Sequence, residues 1–326
     1  MIRNLPLPSL LLVLGLFILP PIPVAGVPPG LIDQPQTFPW SVGLTPVFLE
    51  EAGGLEPGQS RLRTSVLWFN TYRQAGLDDQ MYQRVDMEGL LETVSGVWSP
   101  APGWELRGQA QGWELGGGIM DAFLAGFHGT IGVPNQGRQF VSDNQYRDYL
   151  KGEFDLTNPV PGLTQASVGV RGFDGPWSWS SWVKVPVPAQ ADWGWSDRWG
   201  GGTGVGWGDR WPLADLGFQI RAGGTISLVT VGTDDRFAGQ TGNFTGQFGL
   251  YAAAELFSGP RLVVEGSYTA VPRGGDGYLP QGAGLLTMGG QFPLDPTWTV
   301  EVATTEEFLT WATMEVGFQA GVALTL

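Results

Sequence analysis

The chain contains many short segments in which apolar residues alternate with polar or small ones. In the last of them, residues 314–326 (MEVGFQAGVALTL), Val316, Phe318 and Val322 belong to the apolar set, and Glu315 and Gln319 belong to the other. A period of two predicts a β-strand with two unlike faces. Because the alternation continues to the last residue without a polar tail, we expect this strand to face lipid on one side and a watery lumen on the other.

Eleven further segments have comparable two-faced patterns, so the predicted total is about twelve strands. The eleven are Leu62–Tyr72, Arg84–Trp98, Trp104–Leu115, Leu163–Phe173, Trp177–Val187, Gly201–Trp211, Leu213–Val231, Asn243–Phe257, Arg261–Val271, Gln281–Phe292 and Thr297–Ala303. An even number of such strands is typical of single-chain bacterial barrels. The predicted fold is therefore all-β, a transmembrane antiparallel up-and-down β-barrel.

The connections between the predicted strands differ in length according to their place in the order. Those after even-numbered strands are short and rich in Pro, Gly or Asp, such as PAPG, DGP and SGP, whereas those after odd-numbered strands tend to be longer, such as GTDDRFAGQTG. Short turns at one rim and long loops at the other are typical of outer-membrane barrels. Both termini are then expected on the short-turn side.

One long connection, residues 116–161, departs from the strand pattern. Its segment GIMDAFLAGFHGTIG has apolar residues at helical spacings, and a proline follows; the positions are Ile119, Phe123, Leu124, Phe127, Ile131 and Pro134. This spacing predicts one amphipathic helix within a long loop. We expect the helix either to fold into the lumen or to lie on the rim.

The N-terminal residues resemble an export signal. Arg3 precedes a short apolar run, Leu10–Leu19, and small residues lie near Gly26. The run is too short to cross a bilayer as a helix, so residues 1–26 are predicted to be a secretory signal peptide. Residues 27–60 are expected to be an extended segment, and residues 61–326 the barrel, located in the outer membrane of a Gram-negative cell.

Composition and charge exclude several classes of function. The sequence has no Cys, which excludes a disulfide scaffold and a thiolate site. The formal net charge is −14, which opposes binding to nucleic acid. We expect no cofactor. The expected partners are outer-membrane lipid and lipopolysaccharide, the outer-membrane assembly machinery and a small hydrophilic solute.

The run MDAFLAGFHGTIGVPNQGR, residues 120–138, resembles the central motif of a family of outer-membrane proteins known as domain of unknown function 3187. The similar positions are Asp121, Phe127, His128, Gly132, Val133, Pro134, Gly137 and Arg138. The similarity extends from about Gly54 to the C-terminus. The chain departs from the family at Gln36–Pro39, where the family tends to have an Asn-Pro motif, and at Leu326, where barrels usually end in an aromatic residue. The resemblance implies an outer-membrane barrel but no established activity.

Charged residues within the predicted strands are candidates for the lining of the lumen. They are Glu92, Arg107, Arg171, Lys184, Arg221, Glu255, Glu265 and Glu301. Charge inside a barrel either forms a paired structural network or lines a pore, and the sequence favours neither.

Two further groups have alternative interpretations. Most of the tryptophans between Trp177 and Trp211 fit the aromatic belts that barrels place at lipid interfaces. Trp193, Trp195 and Trp199 fall in a predicted loop and are candidates for ligand contact. His128, the single histidine, would be the general base if the barrel were a membrane-embedded hydrolase.

The leading functional hypothesis is a narrow channel or transporter for a small hydrophilic solute, and the chain is not expected to be an enzyme. The alternatives are a structural or partner-binding barrel without transport, and a hydrolase centred on His128.

Overall fold

The computed structural model describes most of the predicted barrel. It covers residues 54–75, 83–116, 120, 123, 126, 130, 147–150, 154–157, 162–185, 199–213, 218–230, 244–256, 259–270, 282–307 and 316–326. The predicted signal peptide and most of the segment 27–60 lie outside these residues.

Fourteen strands make up the described structure. Their bounds are β1 Ser60–Ala75, β2 Gln83–Ala101, β3 Trp104–Gly116, β4 Arg147–Leu150, β5 Phe154–Leu156, β6 Gly162–Asp174, β7 Trp177–Val185, β8 Gly200–Leu213, β9 Phe218–Thr230, β10 Phe244–Leu256, β11 Arg261–Ala270, β12 Gly282–Pro293, β13 Trp298–Glu307 and β14 Val316–Thr325.

Twelve of these strands close into an antiparallel barrel. Strand β1 pairs with β2 on one side and with β14 on the other, from Arg61 opposite Thr325 to Asn70 opposite Val316. The closed ring leaves no unpaired edge among these strands. The short hairpin β4–β5 lies outside the ring, and its strand β4 pairs with the first residues of β2, from Gln83 to Asp86. The predicted all-β barrel of about twelve strands is confirmed, and each of its twelve predicted strands corresponds to one strand of the ring.

The two rims of the barrel differ as predicted. The connections β2–β3, β6–β7, β8–β9, β10–β11 and β12–β13 contain only two to four residues, and the other connections of the ring contain seven or more, the one from β3 to β6 including the hairpin β4–β5. We call the rim with the short connections the turn side and the other rim the loop side. Strand β1 begins and strand β14 ends at the turn side, where Ser60 and Leu326 exchange backbone hydrogen bonds.

Side chains alternate between an apolar outer face and a largely polar inner face. The exposed outer set includes Val66, Leu106, Val168, Val183, Val205, Ile226, Leu250, Leu262, Val302 and Phe318. The buried inner set includes Ser65, Gln109, Gln111, Ser167, Thr225, Ser227, Gln247, Thr287, Gln291 and Gln319. This arrangement is the reverse of a soluble protein and is the pattern that a lipid environment requires.

A belt of tryptophans surrounds the outer face near the turn side. Trp104 and Trp179 meet edge to face with ring centroids 5.2 Å apart, and Gly172 makes room for the second ring, because a Cβ there would collide with it. Further members are Trp177, Trp207, Trp211 and Trp298. Amphipathic rings at this level are typical of a membrane–water interface.

The predicted strand bounds differ most at the β8–β9 corner and in the hairpin β4–β5. The predicted strands Gly201–Trp211 and Leu213–Val231 leave Pro212 as the turn, but β8 continues to Leu213 and β9 begins at Phe218. Pro212 is the last residue but one of β8, where its missing N–H removes a single ladder hydrogen bond, so it did not end the strand. Strands β4 and β5 have four and three residues, too few to give a clear alternation.

Candidate functional site: the charged interior

Seven of the eight predicted lumen residues lie on the inner face. They are Arg107, Arg171, Lys184, Arg221, Glu255, Glu265 and Glu301, each in register with other inward positions. Whether they line a path for solute stays a prediction.

Glu92 lies on the outer face, so its predicted inward direction is wrong. It is opposite Val66 of β1 and Gly112 of β3, and Val66 belongs to the exposed apolar set. The inner positions of β2 are instead Leu91 and Thr93. In this strand leucines and polar residues occur on both faces, so the alternation alone does not indicate which face is inside.

The first charged cluster is built around Glu105, at the turn-side end of β3. One carboxylate oxygen accepts hydrogen bonds from Arg107, at 2.7 Å, and from Arg171 of the neighbouring strand β6, at 3.4 Å. The other oxygen accepts the backbone N–H of Leu55 at 2.9 Å. The Arg171 guanidinium also lies 5.2 Å from the centroid of the Phe173 ring. Two cations thus share one buried carboxylate.

The segment before β1 takes part in this cluster. Leu55 is buried, and a Cβ on Gly54 would collide with the Phe173 ring and with Glu105. Residues 54 and 55 therefore lie against inner-face residues of β3 and β6 at the turn-side mouth. This part of the segment is packed on the barrel rather than extending away from it.

A second cluster lies on β8, β9 and β10. Arg221 and Glu255 form an ion pair at 2.9 Å, and the Gln219 side-chain amide donates to the same carboxylate oxygen at 2.9 Å. Arg210 lies directly opposite Arg221 in the β8–β9 register. Here too, two arginines and one glutamate occupy the same part of the wall.

The third cluster is a chain of contacts that runs along the wall from β11 to β1. Arg261 donates to Gln291 at 3.3 Å, and Gln291 donates to Glu301 at 2.9 Å. Glu301 also accepts from Arg63 at 2.6 Å, and both of these side chains are buried. Two arginines are again connected to one carboxylate.

The loop-side half of the interior has a different character. Its inner positions on β1 and β2 include Leu67, Phe69, Met87 and Leu91, all of them buried. Elsewhere it has neutral polar groups, such as the Thr287 and Thr305 hydroxyls, which lie 2.9 Å apart, and the buried Lys184 near the end of β7. All three charged clusters lie toward the turn side.

The interior is narrow. Lys184 is 2% exposed and Glu265 is 0% exposed, so their side chains are enclosed by their neighbours. Solvent reaches the charged clusters mainly at the turn side, where the side chains of Arg107 and Glu255 are 18% and 21% exposed. Arg107 and Glu255 are therefore more exposed to solvent than Lys184 and Glu265.

Several inner-face charges were not among the predicted site residues. They are Arg61, Arg63, Glu105, Arg210 and Arg261. Each is separated by an even number of residues from inward-facing residues of the same strand. That spacing is the signal that could have identified them. Most lie at the first or last residues of the predicted strands, where the pattern is too short to assign a face.

The predicted helical segment contacts the outer face of the barrel. Met120, Phe123, Gly126 and Thr130 are helical. The Met120 backbone N–H donates to Glu88 at 2.6 Å, and the Trp68 indole N–H donates to the other oxygen of the same carboxylate at 2.7 Å.

Apolar contacts extend this attachment. Met120 packs with Val316, which is therefore buried rather than facing lipid as expected, and the Phe123 and Phe318 ring centroids are 6.3 Å apart. Since Val316 and Phe318 are outer-face residues of β14, Met120 and Phe123 do not enter the lumen. The remaining motif residues, Asp121, Phe127, His128, Pro134 and Arg138, lie outside the described side chains.

Trp199 is the only predicted ligand-contact tryptophan within the described residues. It lies just before β8 at the loop side and is 68% exposed. Trp193 and Trp195 lie outside the described part of the chain. Among the described residues, no group of three His, Cys, Asp or Glu side chains converges as metal ligands would.

The closed ring, the apolar outer face and the polar interior together define an outer-membrane-type β-barrel. A family described as Protein of unknown function (DUF3187) matches residues 33–154 of the chain. This match confirms the resemblance predicted from the central motif. The sequence has no significant match among curated proteins.

Solved outer-membrane barrels are similar to this chain. The COG4313 outer membrane channel from Pseudomonas putida F1 is similar with a TM-score of 0.54 and 6% identity, over 86% of this chain and 100% of that one. The translocator domain of autotransporter NalP from Neisseria meningitidis has a TM-score of 0.42 and 13% identity, over 83% and 89%. At such identities the likeness concerns the fold alone. Within the described residues, no helix is long and apolar enough to cross a membrane.

Proposed function

We propose that this barrel is a narrow channel for a small hydrophilic solute, located in the outer membrane after export by its N-terminal signal. The observation that carries the proposal is the set of charged clusters on the inner face of a closed, externally apolar ring. A barrel with only a structural role has no need of so many inward charges, since each must be desolvated and paired.

The position of the charges supports a conduit rather than a fully solid core. Arg107, Glu255 and Arg210 are reached by solvent at the turn side, so ions and water have access to the charged mouth. The enclosure of Lys184 and Glu265 limits the width of any path beyond it. The solute is therefore small.

Single-channel recording tests this proposal. The mature barrel is refolded in detergent, checked by the gel-mobility shift between unheated and boiled samples, and inserted into planar bilayers. We expect discrete current steps of small amplitude. A preparation that shows the gel shift but gives no steps would contradict the channel.

A barrel without transport is the second candidate, and the near-complete burial of its deeper side chains favours it. Lys184 and Glu265 would then belong to a structural polar core. The same recordings separate the two, because this candidate gives a folded and silent barrel. The hydrolase centred on His128 stays a prediction, since that residue lies outside the described structure.

A further inference from the structure

We propose that the interior is selective for small anions. This inference rests on the proposed channel function and names the class of its solute. The formal charge of the whole chain, −14, gives the opposite expectation, so the inference depends on where the charges lie.

The described inner face carries more cations than anions. Its cations are Arg61, Arg63, Arg107, Arg171, Lys184, Arg210, Arg221 and Arg261. Its anions are Glu105, Glu255, Glu265 and Glu301. Among the residues whose side chains the structure describes, eight Lys and Arg residues are therefore inside, against four Asp and Glu residues.

In each of the three clusters, two arginines occur with one glutamate. Arg107 and Arg171 share Glu105, and Arg221 pairs with Glu255 while Arg210 lies opposite Arg221 in the β8–β9 register. Arg63 and Arg261 are connected to Glu301, directly and through Gln291 respectively, which gives the third cluster the same two-to-one composition. In the first and third clusters one carboxylate is connected to two guanidinium groups, which lowers the repulsion between them.

A narrow passage enlarges the effect of this excess. Low-dielectric walls focus the field of the lining charges, so a small net charge raises the local concentration of counter-ions strongly. Charges more than about 10 Å from the path are screened by salt. The clusters at the turn-side mouth therefore dominate the selectivity of the path.

The chemistry of the lining further restricts the solute. Guanidinium groups hydrogen-bond oxyanions in a planar fork and hold carboxylate or phosphate groups better than an ammonium does. Since the passage is constricted, we infer inorganic anions and short carboxylates as the class that fits. Chloride serves as the simplest probe of the field itself.

The test is the reversal potential of the full-length mature barrel in planar bilayers under a KCl gradient. We expect the sign that corresponds to chloride permeation. Arg210→Glu should lower the chloride-to-potassium permeability ratio by about two- to fivefold, because it removes two units of positive charge from an exposed position of the mouth. The control is Asp209→Lys on the same strand, which changes the total charge by the same amount in the opposite direction on the outer face. It should leave the ratio unchanged.

The outcomes separate this inference from the channel itself. Current steps with a potassium-selective reversal potential overturn the anion selectivity and keep the channel. Shifts of the permeability ratio that are equal in size and opposite in direction for Arg210→Glu and Asp209→Lys also overturn it. Total charge, and not the inner clusters, would then govern permeation. Folded barrels without current overturn both proposals. Each variant is first checked for the heat-dependent gel shift.

Discussion

The turn-side and loop-side halves of the interior are built from the same alternating strands but hold different chemistry. The turn side has three charged clusters around Glu105, Glu255 and Glu301. The loop side has Leu67, Phe69, neutral hydroxyl groups and the buried Lys184. The turn-side clusters contain paired charges that are partly reached by solvent, whereas the loop-side residues are enclosed by packing. Selectivity and stability are therefore expected to depend on different residues.

The largest loss of stability is expected on substitution of Glu105, whose carboxylate accepts hydrogen bonds from two arginines and from the Leu55 amide. Glu105→Ala leaves two buried guanidinium groups without their shared carboxylate, and we expect a loss of about 4 kcal/mol in the free energy of unfolding. Urea unfolding in detergent, followed by the gel shift, measures it. The control is Asp174→Asn at an exposed position of the same rim. Equal free energies of unfolding for the two variants would contradict the claim that Glu105 stabilises the first cluster.

A second prediction tests the loop-side half. Phe69→Ala removes a fully buried ring and should lower the free energy of unfolding by about 3 kcal/mol. Because no charge changes, the reversal potential should stay that of the wild type. A shift of the reversal potential without a loss of stability would reverse the roles assigned to the two halves.

A third, smaller effect concerns the outer face. Glu88→Gln weakens the charge-assisted hydrogen bonds to the Met120 amide and the Trp68 indole, and we expect about 2 kcal/mol of local destabilisation. Limited proteolysis near residue 120 should become faster while the barrel keeps its gel shift. Faster cleavage in the control Glu114→Gln, an exposed carboxylate on the outer face of β3, would show that the effect is not specific to this attachment.

The smallest effect is expected in the hairpin β4–β5, beyond the ring. Arg147 makes two hydrogen bonds to Asp155, at 3.0 and 2.9 Å, and the pKa of Arg147 is raised chiefly by this hydrogen bond. A raised pKa of Arg147 means that the contribution of its guanidinium charge is present at neutral pH and is lost as the pH rises into strongly alkaline solution. Arg147→Ala should cost about 0.5 kcal/mol, because both side chains are partly exposed. Hydrogen exchange of β4 amides measures it, and a change in conductance would contradict a purely local role.

The ring could be predicted from the sequence because two independent signals agree. Strict alternation places residues such as Phe318 and Gln319 on opposite faces, and the parity of connection lengths orders the strands between two rims. The alternation follows from lipid on one face of the wall and a polar lumen on the other, and the parity of the connections is typical of up-and-down membrane barrels. Strands β4 and β5 lie outside the ring, and neither signal applies to them.

The charged clusters could be predicted only in part. The alternation identifies which residues share a face, but Glu92 shows that it does not identify the inner face where both faces are mixed. The pairing of Arg63 with Glu301 depends on two strands that lie far apart in the sequence and meet only through β14. The attachment of Met120 to Glu88 depends on the path of a loop, which periodicity does not specify.

The most direct test of the account is the sign of the reversal potential of the folded wild-type barrel in a KCl gradient. If the turn-side clusters govern a narrow passage, single steps appear and the current reverses toward the chloride equilibrium potential. A folded barrel that carries no current, or one that reverses toward the potassium equilibrium potential, would contradict it.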